Sequence, residues 1–157
     1  MNELEFSVRG LPIAQGSARA FVAKGRAIIT TDANRTNTPL GAWRTSIAAA
    51  ASEAMHQAPA LTGPVMVIAH FVFPRPKGHY WPISRRRQMP ELRLDAPRFM
   101  VGKPDLDKLE RALLDGITNV VVRDDSQVAG LQAWKVYEDD KRRPGVQVRI
   151  TEGKATR

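Results

Sequence analysis

The chain has 157 residues, of which 43% are hydrophobic, and this length suits a single domain with a buried core. It contains no cysteine, which excludes disulfide bonds, a thiolate nucleophile and cysteine-bound zinc or iron–sulfur centres. Lysine and arginine outnumber aspartate and glutamate by 24 to 16, and the net charge of +8 favours a nucleic acid as partner over a membrane. The N-terminus lacks the features of a signal peptide, so we expect a soluble, cytoplasmic protein.

The N-terminal part of the chain predicts a strand followed by a hairpin. Apolar and polar residues alternate over residues 4–8, which is the period of a half-buried strand. Residues 12–19 are predicted to form a loop, and residues 20–31 a hairpin that turns at residues 24–25. This region would bring three basic side chains to the surface: Arg19, Lys24 and Arg26.

A helix and a buried strand are predicted next. Thr38 followed by Pro39 is typical of an N-cap and a first helical residue, and apolar residues then recur at helical spacing up to about residue 57. The run VMVIAHFVF, residues 65–73, is strongly apolar and predicts a strand in the interior of a sheet.

Residues 74–104 differ in composition from the rest of the chain. They contain six prolines, eight basic residues and two acidic ones, and they therefore carry +6 of the net charge of +8. We expect a long, mobile loop that becomes ordered on a partner. Arg85, Arg86 and Arg87 lie near Tyr80 and Trp81, and they are candidates for contacts with DNA, although a solvated loop explains them almost as well.

The C-terminal third predicts a helix and three strands. Leucine and isoleucine recur at helical spacing after residue 105 and predict an amphipathic helix that ends near Gly116. The strands are predicted at residues 120–125, in the alternating stretch that ends at Val136, and at residues 146–150, with a turn at residues 139–145. The residues after Thr151 are expected to fray.

Two pairs of aspartates flank the second predicted helix. Pro104 favours an extended backbone that becomes helical near Asp105, and Asp107 follows in the first turn. Asp124 and Asp125 follow the valine run. The simplest interpretation is that the first pair caps the helix and compensates its dipole, while the second pair forms a turn. Three convergent aspartates would instead suit Mg²⁺, which could polarise a phosphodiester and activate a water molecule.

Arg111 lies four residues after Asp107 and four before Asp115, so all three share one face of the predicted helix. An ion pair with either aspartate is the simple explanation for this arginine. The functional alternative is a contact with the scissile phosphate or with charge that develops there.

The stretch KPDLDKLERALLDGI, followed by RDDSQV, resembles the signature of the RusA family of Holliday junction resolvases, which are Mg²⁺-dependent endonucleases of bacteria and their phages. The similarity extends more loosely over nearly the whole chain. It implies that Asp105, Asp107 and Asp125 are catalytic acids that bind Mg²⁺, with Mn²⁺ as a substitute. After the second motif aspartate the family commonly has asparagine next and lysine at the fourth position, where this chain has Lys108 and Arg111.

The resemblance also implies a fold and an assembly. We expect an α/β (α+β) domain over residues 1–152, with a mixed sheet and two main helices, followed by a frayed tail at residues 153–157. A homodimer with two active sites would cut four-way DNA junctions in recombination, repair or phage DNA processing. The basic residues expected to bind DNA are Arg19, Lys24, Arg26, Arg85, Arg86, Arg87, Lys103 and Lys108.

Two other functions fit the same residues. The protein could be a non-catalytic nucleic-acid-binding protein, whose acids only cap a helix and a turn. It could also be a related nuclease that acts on forks, flaps or ordinary duplex DNA.

Overall fold

The computed structural model describes residues 3–16, 19–23, 26–30 and 38–153. Its main elements are a four-stranded sheet and two helices. The strands are β1 (Glu3–Arg9), β2 (Arg19–Ala23), β3 (Arg26–Thr30), β4 (Val65–Phe73), β5 (Tyr80–Trp81), β6 (Glu91–Leu92), β7 (Val128–Tyr137) and β8 (Gly145–Glu152). The helices are α1 (Pro39–Ala54) and α2 (Leu106–Ile117). The expected compact α/β domain with a mixed sheet and two main helices is confirmed.

The main sheet has the order β1-β8-β4-β7. β4 is parallel to β7, whereas β8 is antiparallel to both β4 and β1. β4 therefore lies in the interior of the sheet, as its apolar sequence predicts. Because β4 and β7 are parallel, the chain between them must return along the sheet, and α2 forms the helical part of this connection.

The hydrophobic core lies between the sheet and the two helices. Alternate residues of β4 from Val65 to Phe73 are almost fully buried, and they join Ile47 of α1 and Leu113 of α2 in one cluster. α1 and α2 approach closely at Gly116, where an added Cβ atom would lie 2.7 Å from Cγ2 of Ile47. The helices thus have little freedom to shift against each other, which fixes where α2 begins and ends.

Most of the predicted elements are confirmed. The structure has the predicted first strand, the second helix and the β2–β3 hairpin, although the turn that includes Lys24 lies outside the described residues. Helix α1 ends three residues before the predicted position 57, because His56 and Gln57 adopt positive φ angles of 48° and 65°. β8 continues to Glu152, and residues 154–157 of the predicted tail lie outside the described part.

The predicted strand at residues 120–125 is wrong. Val121 and Val122 are fully buried, but they lie in a turn whose amides bond back to the carbonyl of Ile117 at 2.9 and 3.4 Å. The turn includes Asn119 at a φ of 66°. A short apolar run indicates burial without fixing the backbone conformation, and the burial here comes from packing under the end of α2.

Residues 74–104 have more local structure than the predicted loop. They contain a short 3₁₀ turn at Lys77–His79 and the two-stranded β5–β6 sheet. The amide of Met100 also donates to the carbonyl of Lys135 at 3.0 Å, which joins this segment to the edge of β7. The mobility of the segment stays a prediction.

None of the helices in the described parts of the chain could span a membrane, because none combines the length and the apolar character that this requires.

Candidate active site

The start of α2 positions the first two predicted acids. Asp105 is the N-cap residue and has an extended backbone (φ −69°, ψ 142°), so the predicted change from extended to helical backbone is confirmed. Its side chain nevertheless caps no helix amide and instead accepts a hydrogen bond from Nζ of Lys108 at 2.7 Å. The simple explanation of Asp105 as a side-chain cap is therefore not supported.

Positive charges surround the carboxylate of Asp105. The hydrogen bond and charge of Lys108 lower the pKa of Asp105, and the charges of Lys103 and Lys135 lower it further. The same ion pair raises the pKa of Lys108. The Asp105 carboxylate is also exposed enough to exchange its lysine partner for another cation.

Asp107 is exposed in the first turn of α2. Within the part of the chain that the structure describes, its side chain forms no hydrogen bond or ion pair, although its charge helps to raise the pKa of Lys108. Burial and, to a smaller extent, the charge of Asp107 raise the pKa of Glu110 one turn later. The Asp107 carboxylate thus has both oxygens available to a ligand from outside the chain.

Lys135 binds the backbone of the segment that precedes α2. From the second half of β7, its Nζ atom donates to the carbonyl oxygen of Pro104 at 2.8 Å and also to that of Gly102. The turn before Asp105 is thereby fixed to the sheet. Sequence patterns do not indicate this role, since Lys135 lies in an alternating strand and its partners are more than 30 residues away.

The second acid pair lies in a short 3₁₀ turn at Asp125–Gln127. Asp124 caps this turn by accepting from the amide of Ser126 at 2.9 Å, and this hydrogen bond lowers the pKa of Asp124. The side chain of Asp125 is exposed and forms no hydrogen bond or ion pair among the described residues, while the carbonyl oxygen of Asp125 accepts from the amide of Val128. Asp124 therefore stabilises the turn, and Asp125 is the member of the pair that remains available.

Gln127 fixes the position of this turn relative to the sheet. Its Oε1 atom accepts from the amides of Arg123 and Asp124 at 2.8 and 3.2 Å. Its Nε2 atom donates to the carbonyl oxygens of Leu61 and Gly63, at 2.9 and 3.1 Å, just before β4 begins. Asp125 accordingly lies at the edge of the sheet where β4 and β7 start.

The two acid pairs lie at opposite ends of α2. The helix has 12 residues and is about 18 Å long. Asp105 lies beside Lys135 near the end of β7, whereas Asp125 precedes the first residue of that strand. The expected convergence of three aspartates therefore does not occur within one chain, and the described residues contain no group of three or more acidic or histidine side chains that could hold a metal ion.

A comparison with known protein families identifies the family of this chain. The family model for endodeoxyribonuclease RusA matches residues 12–151. The chain belongs to the RusA family. This confirms the resemblance seen in the sequence, and membership indicates a nuclease of the Holliday junction resolvase type. The chain is also 27% identical over 152 residues to the uncharacterized protein YqaN of Bacillus subtilis (strain 168), covering 97% of this chain and 98% of that protein.

Arg111 has the setting that the RusA resemblance suggests for a phosphate contact. It is exposed and has no ion-pair partner among the described residues. Asp115, one of its two possible helix partners, is bound instead by Arg44 of α1. The ion-pair explanation for Arg111 is thus not supported, and its guanidinium group remains available on the same helix as Asp107.

The basic residues predicted to bind DNA fall into several groups. Arg85 and Arg86 are exposed at the tip of a hairpin, and Lys103 is exposed before α2. Arg87 pairs with Glu91 at 2.6 Å, and Lys108 pairs with Asp105, so both are partly neutralised. Arg19 and Arg26 lie on β2 and β3, but their side chains and the whole of Lys24 lie outside the described part of the structure.

Proposed function

We propose that this RusA-family protein is a metal-dependent endodeoxyribonuclease that cuts four-way DNA junctions as a homodimer. The observation that carries the proposal, beside the family match, is that the exposed carboxylates of Asp107 and Asp125 form no hydrogen bond or ion pair in the described structure, on a chain with a net charge of +8. Anions that a basic protein leaves unpaired are available for a cation from solution.

The donor chemistry suits a hard divalent ion. Carboxylate oxygens are the ligands that Mg²⁺ and Mn²⁺ prefer, and Asp105, Asp107 and Asp125 would supply them. When bound, the ion polarises the phosphodiester and lowers the pKa of a water molecule. Lys108 would have to release Asp105 when the ion binds, and Arg111 would hold non-bridging phosphate oxygens with its forked guanidinium group.

A second copy of the chain would complete the set of acids. Asp105 and Asp107 lie at the start of α2 and Asp125 follows its end, and the three acids form no common group in the described residues of one chain. Two chains related by a two-fold axis, with their α2 helices antiparallel, would bring Asp125 of each copy to the start of α2 in the other. Such a dimer has two equivalent sites, which matches the two symmetric cuts that resolve a four-way junction.

The test compares cleavage and binding of a labelled synthetic junction. Asp107→Asn should lower Mg²⁺-dependent cleavage by about 100-fold or more while junction binding in EDTA persists, because only the ion site is changed. The matched control is Asp140→Asn, which alters an exposed aspartate in the loop before β8 and should cleave normally. A wild-type protein that binds junctions without cutting them under any divalent metal would reject the proposal.

That negative result would instead support a non-catalytic nucleic-acid-binding protein. One observation favours this second candidate, since the acids do not gather within one chain. Parallel reactions on a four-way junction, a replication fork, a flap and a linear duplex separate a junction resolvase from a nuclease of broader specificity. A resolvase should prefer the junction and cut it at paired positions.

A further inference from the structure

The segment between β4 and α2 forms a hairpin with a firmly attached base. Arg75 donates from its amide and its Nε atom to the side chain and carbonyl of Glu138, at 3.1 and 2.8 Å, and from Nη1 to the carbonyl of Pro97 at 2.7 Å. Its guanidinium group lies over the ring of Tyr137, and His79 meets the same ring edge-on at 4.7 Å. The base of the hairpin is thus held to the end of β7.

The hairpin also has its own internal scaffold. Trp81 contacts two arginines, with the guanidinium carbons of Arg87 and Arg93 at 5.3 and 4.9 Å from its ring. Arg87 pairs with Glu91 at 2.6 Å, and Arg93 makes two hydrogen bonds to Asp95 at 3.0 Å. These two arginines are therefore neutralised within the hairpin, and they hold its shape through cation–π contacts.

The tip of the hairpin is separate from this scaffold. Ser84 and Arg87 exchange backbone hydrogen bonds at 2.8 and 3.0 Å, which leaves Arg85 and Arg86 as the two turn residues. Both are exposed and lack partners in the described structure. Among the described residues, the tip therefore carries two unpaired positive charges, whereas the arginines along the sides of the hairpin are paired with carboxylates.

The hairpin and the segment that follows it expose an unusual amount of apolar surface. Among the described residues, nine large apolar side chains are exposed, and seven of them lie in residues 80–101, which we name the arm. They are Trp81, Ile83, Met89, Leu92, Leu94, Phe99 and Val101. Leu94 is fully exposed, and Val101 is 85% exposed. Exposed apolar surface of this extent is typical of interaction surfaces.

We infer that the arm binds a second copy of this chain and covers its apolar side chains in a dimer. The inference rests on the proposed function, because Asp125 of a second copy is needed beside Asp105 and Asp107. The arm ends at residue 101, only four residues before Asp105, so a copy that covers the end of the arm would lie next to the incomplete acid site.

The exposed area is consistent with such an interface. Each exposed side chain of this size contributes on the order of 100 Å². Seven of them together approach the roughly 800 Å² that each partner buries in a stable protein–protein interface.

The chemistry of the arm favours a protein partner over DNA along its sides. Leu92, Leu94 and Val101 have no ring to stack on a base and no charge to meet a phosphate. The arginines beside Trp81 already have carboxylate partners within the arm. Aliphatic side chains are instead typical of the buried centre of homodimer interfaces. The two tip arginines remain the part of the arm suited to DNA.

The first experiment measures the dimer dissociation constant by sedimentation equilibrium, with junction binding and cleavage measured on the same samples. Ile83→Lys combined with Leu94→Lys should raise the dissociation constant by about tenfold or more, because two charges enter an apolar interface. Leu11→Lys is the matched control, since Leu11 is 56% exposed but lies outside the arm, and it should leave the constant unchanged.

Three results would overturn the inference. They are a wild-type protein that stays monomeric, an arm variant whose dissociation constant is unchanged, and an arm variant that dimerises normally but loses junction binding, which would assign the arm to DNA. Cleavage by the wild type is read separately. If it cuts junctions while the arm variant dimerises normally, only the inference about the arm fails; if it never cuts, the proposed function fails whatever the arm does.

A second experiment avoids any change of charge. The chain has no cysteine, so Leu94→Cys offers a single site for a spin label. The label should be immobilised in concentrated wild-type-like protein and become mobile on dilution, as the interface opens. A label that is equally mobile at all concentrations would contradict the inference.

Discussion

At the scale of single residues, the best-defined ion pair lies in the loop between β7 and β8. Asp139 accepts hydrogen bonds from the amides of Lys141 and Arg142 at 3.0 and 2.8 Å and from the Arg142 guanidinium group. The Arg142 side-chain bond is the main cause that lowers the pKa of Asp139 to about 2. Because a depressed folded-state pKa stabilises the protein above the unfolded-state value, this contribution is present at neutral pH and is lost as the pH falls.

We therefore expect Asp139→Asn to lower the free energy of unfolding by about 1 kcal/mol at neutral pH, a value already reduced for solvent screening because the Asp139 side chain is 33% exposed. The difference between wild type and variant should shrink as the pH falls from about 4 towards 2. Urea unfolding at several pH values measures it, with the neighbouring Asp140→Asn as control. A difference that stays constant over this range would refute the assigned cause.

Arg111 allows a separate test of catalysis without a stability effect. Its side chain is exposed and has no partner among the described residues, so Arg111→Ala should leave the melting temperature within about a degree of wild type. Junction cleavage should fall by about 100-fold, because a phosphate contact is lost. Arg111→Lys should retain more activity than the alanine variant, since it keeps the charge. Equal activity of all three proteins would exclude Arg111 from the site.

At the scale of elements, the contact between α1 and α2 depends on Gly116. Alanine favours a helix over glycine by about 1 kcal/mol, so Gly116→Ala would stabilise an isolated α2. In the folded protein the added Cβ atom would lie 2.7 Å from Cγ2 and 2.9 Å from Cβ of Ile47, and we expect a net destabilisation of about 1–2 kcal/mol. Thermal unfolding measures the change. Combining it with Ile47→Ala, which removes the Cγ2 contact but keeps the Cβ atom at 2.9 Å, should reduce the cost of the added alanine.

The elements also show which features the sequence could predict. The start of α2 was predictable because Pro104, the two aspartates and the leucine spacing are all local signals. The turn at Val121 and Val122 was not, since burial under α2 depends on tertiary packing. The scaffold around Trp81 was missed for a similar reason, because composition shows many arginines but does not show that Glu91 and Asp95 neutralise two of them.

The relation between Asp125 and the other acids belongs to the scale of the whole molecule. The sequence motif identifies three candidate aspartates along the chain, but a motif carries no information on whether one chain or two supply them. That depends on the length of α2 and on the parallel pairing of β4 with β7, which return the chain to the opposite edge of the sheet. Only the three-dimensional structure therefore shows that Asp125 lies away from the other two acids in one chain.

Mixed dimers test this arrangement directly. Dimers of Asp107→Asn alone or of Asp125→Asn alone should both be inactive, because every site lacks one acid. In a mixed dimer with acids shared between copies, one site lacks both acids, while the other combines the intact Asp107 of one chain with the intact Asp125 of the other. Random mixing should then restore about a quarter of the wild-type active sites, seen as single nicks rather than paired cuts in a labelled junction.

Mixing Asp107→Asn with Asp105→Asn is the matched control and should restore nothing, since both changes lie at the start of α2 and each site keeps one defect. If the Asp107 and Asp125 variants also fail to complement after verified subunit exchange, the three acids are not divided between two chains.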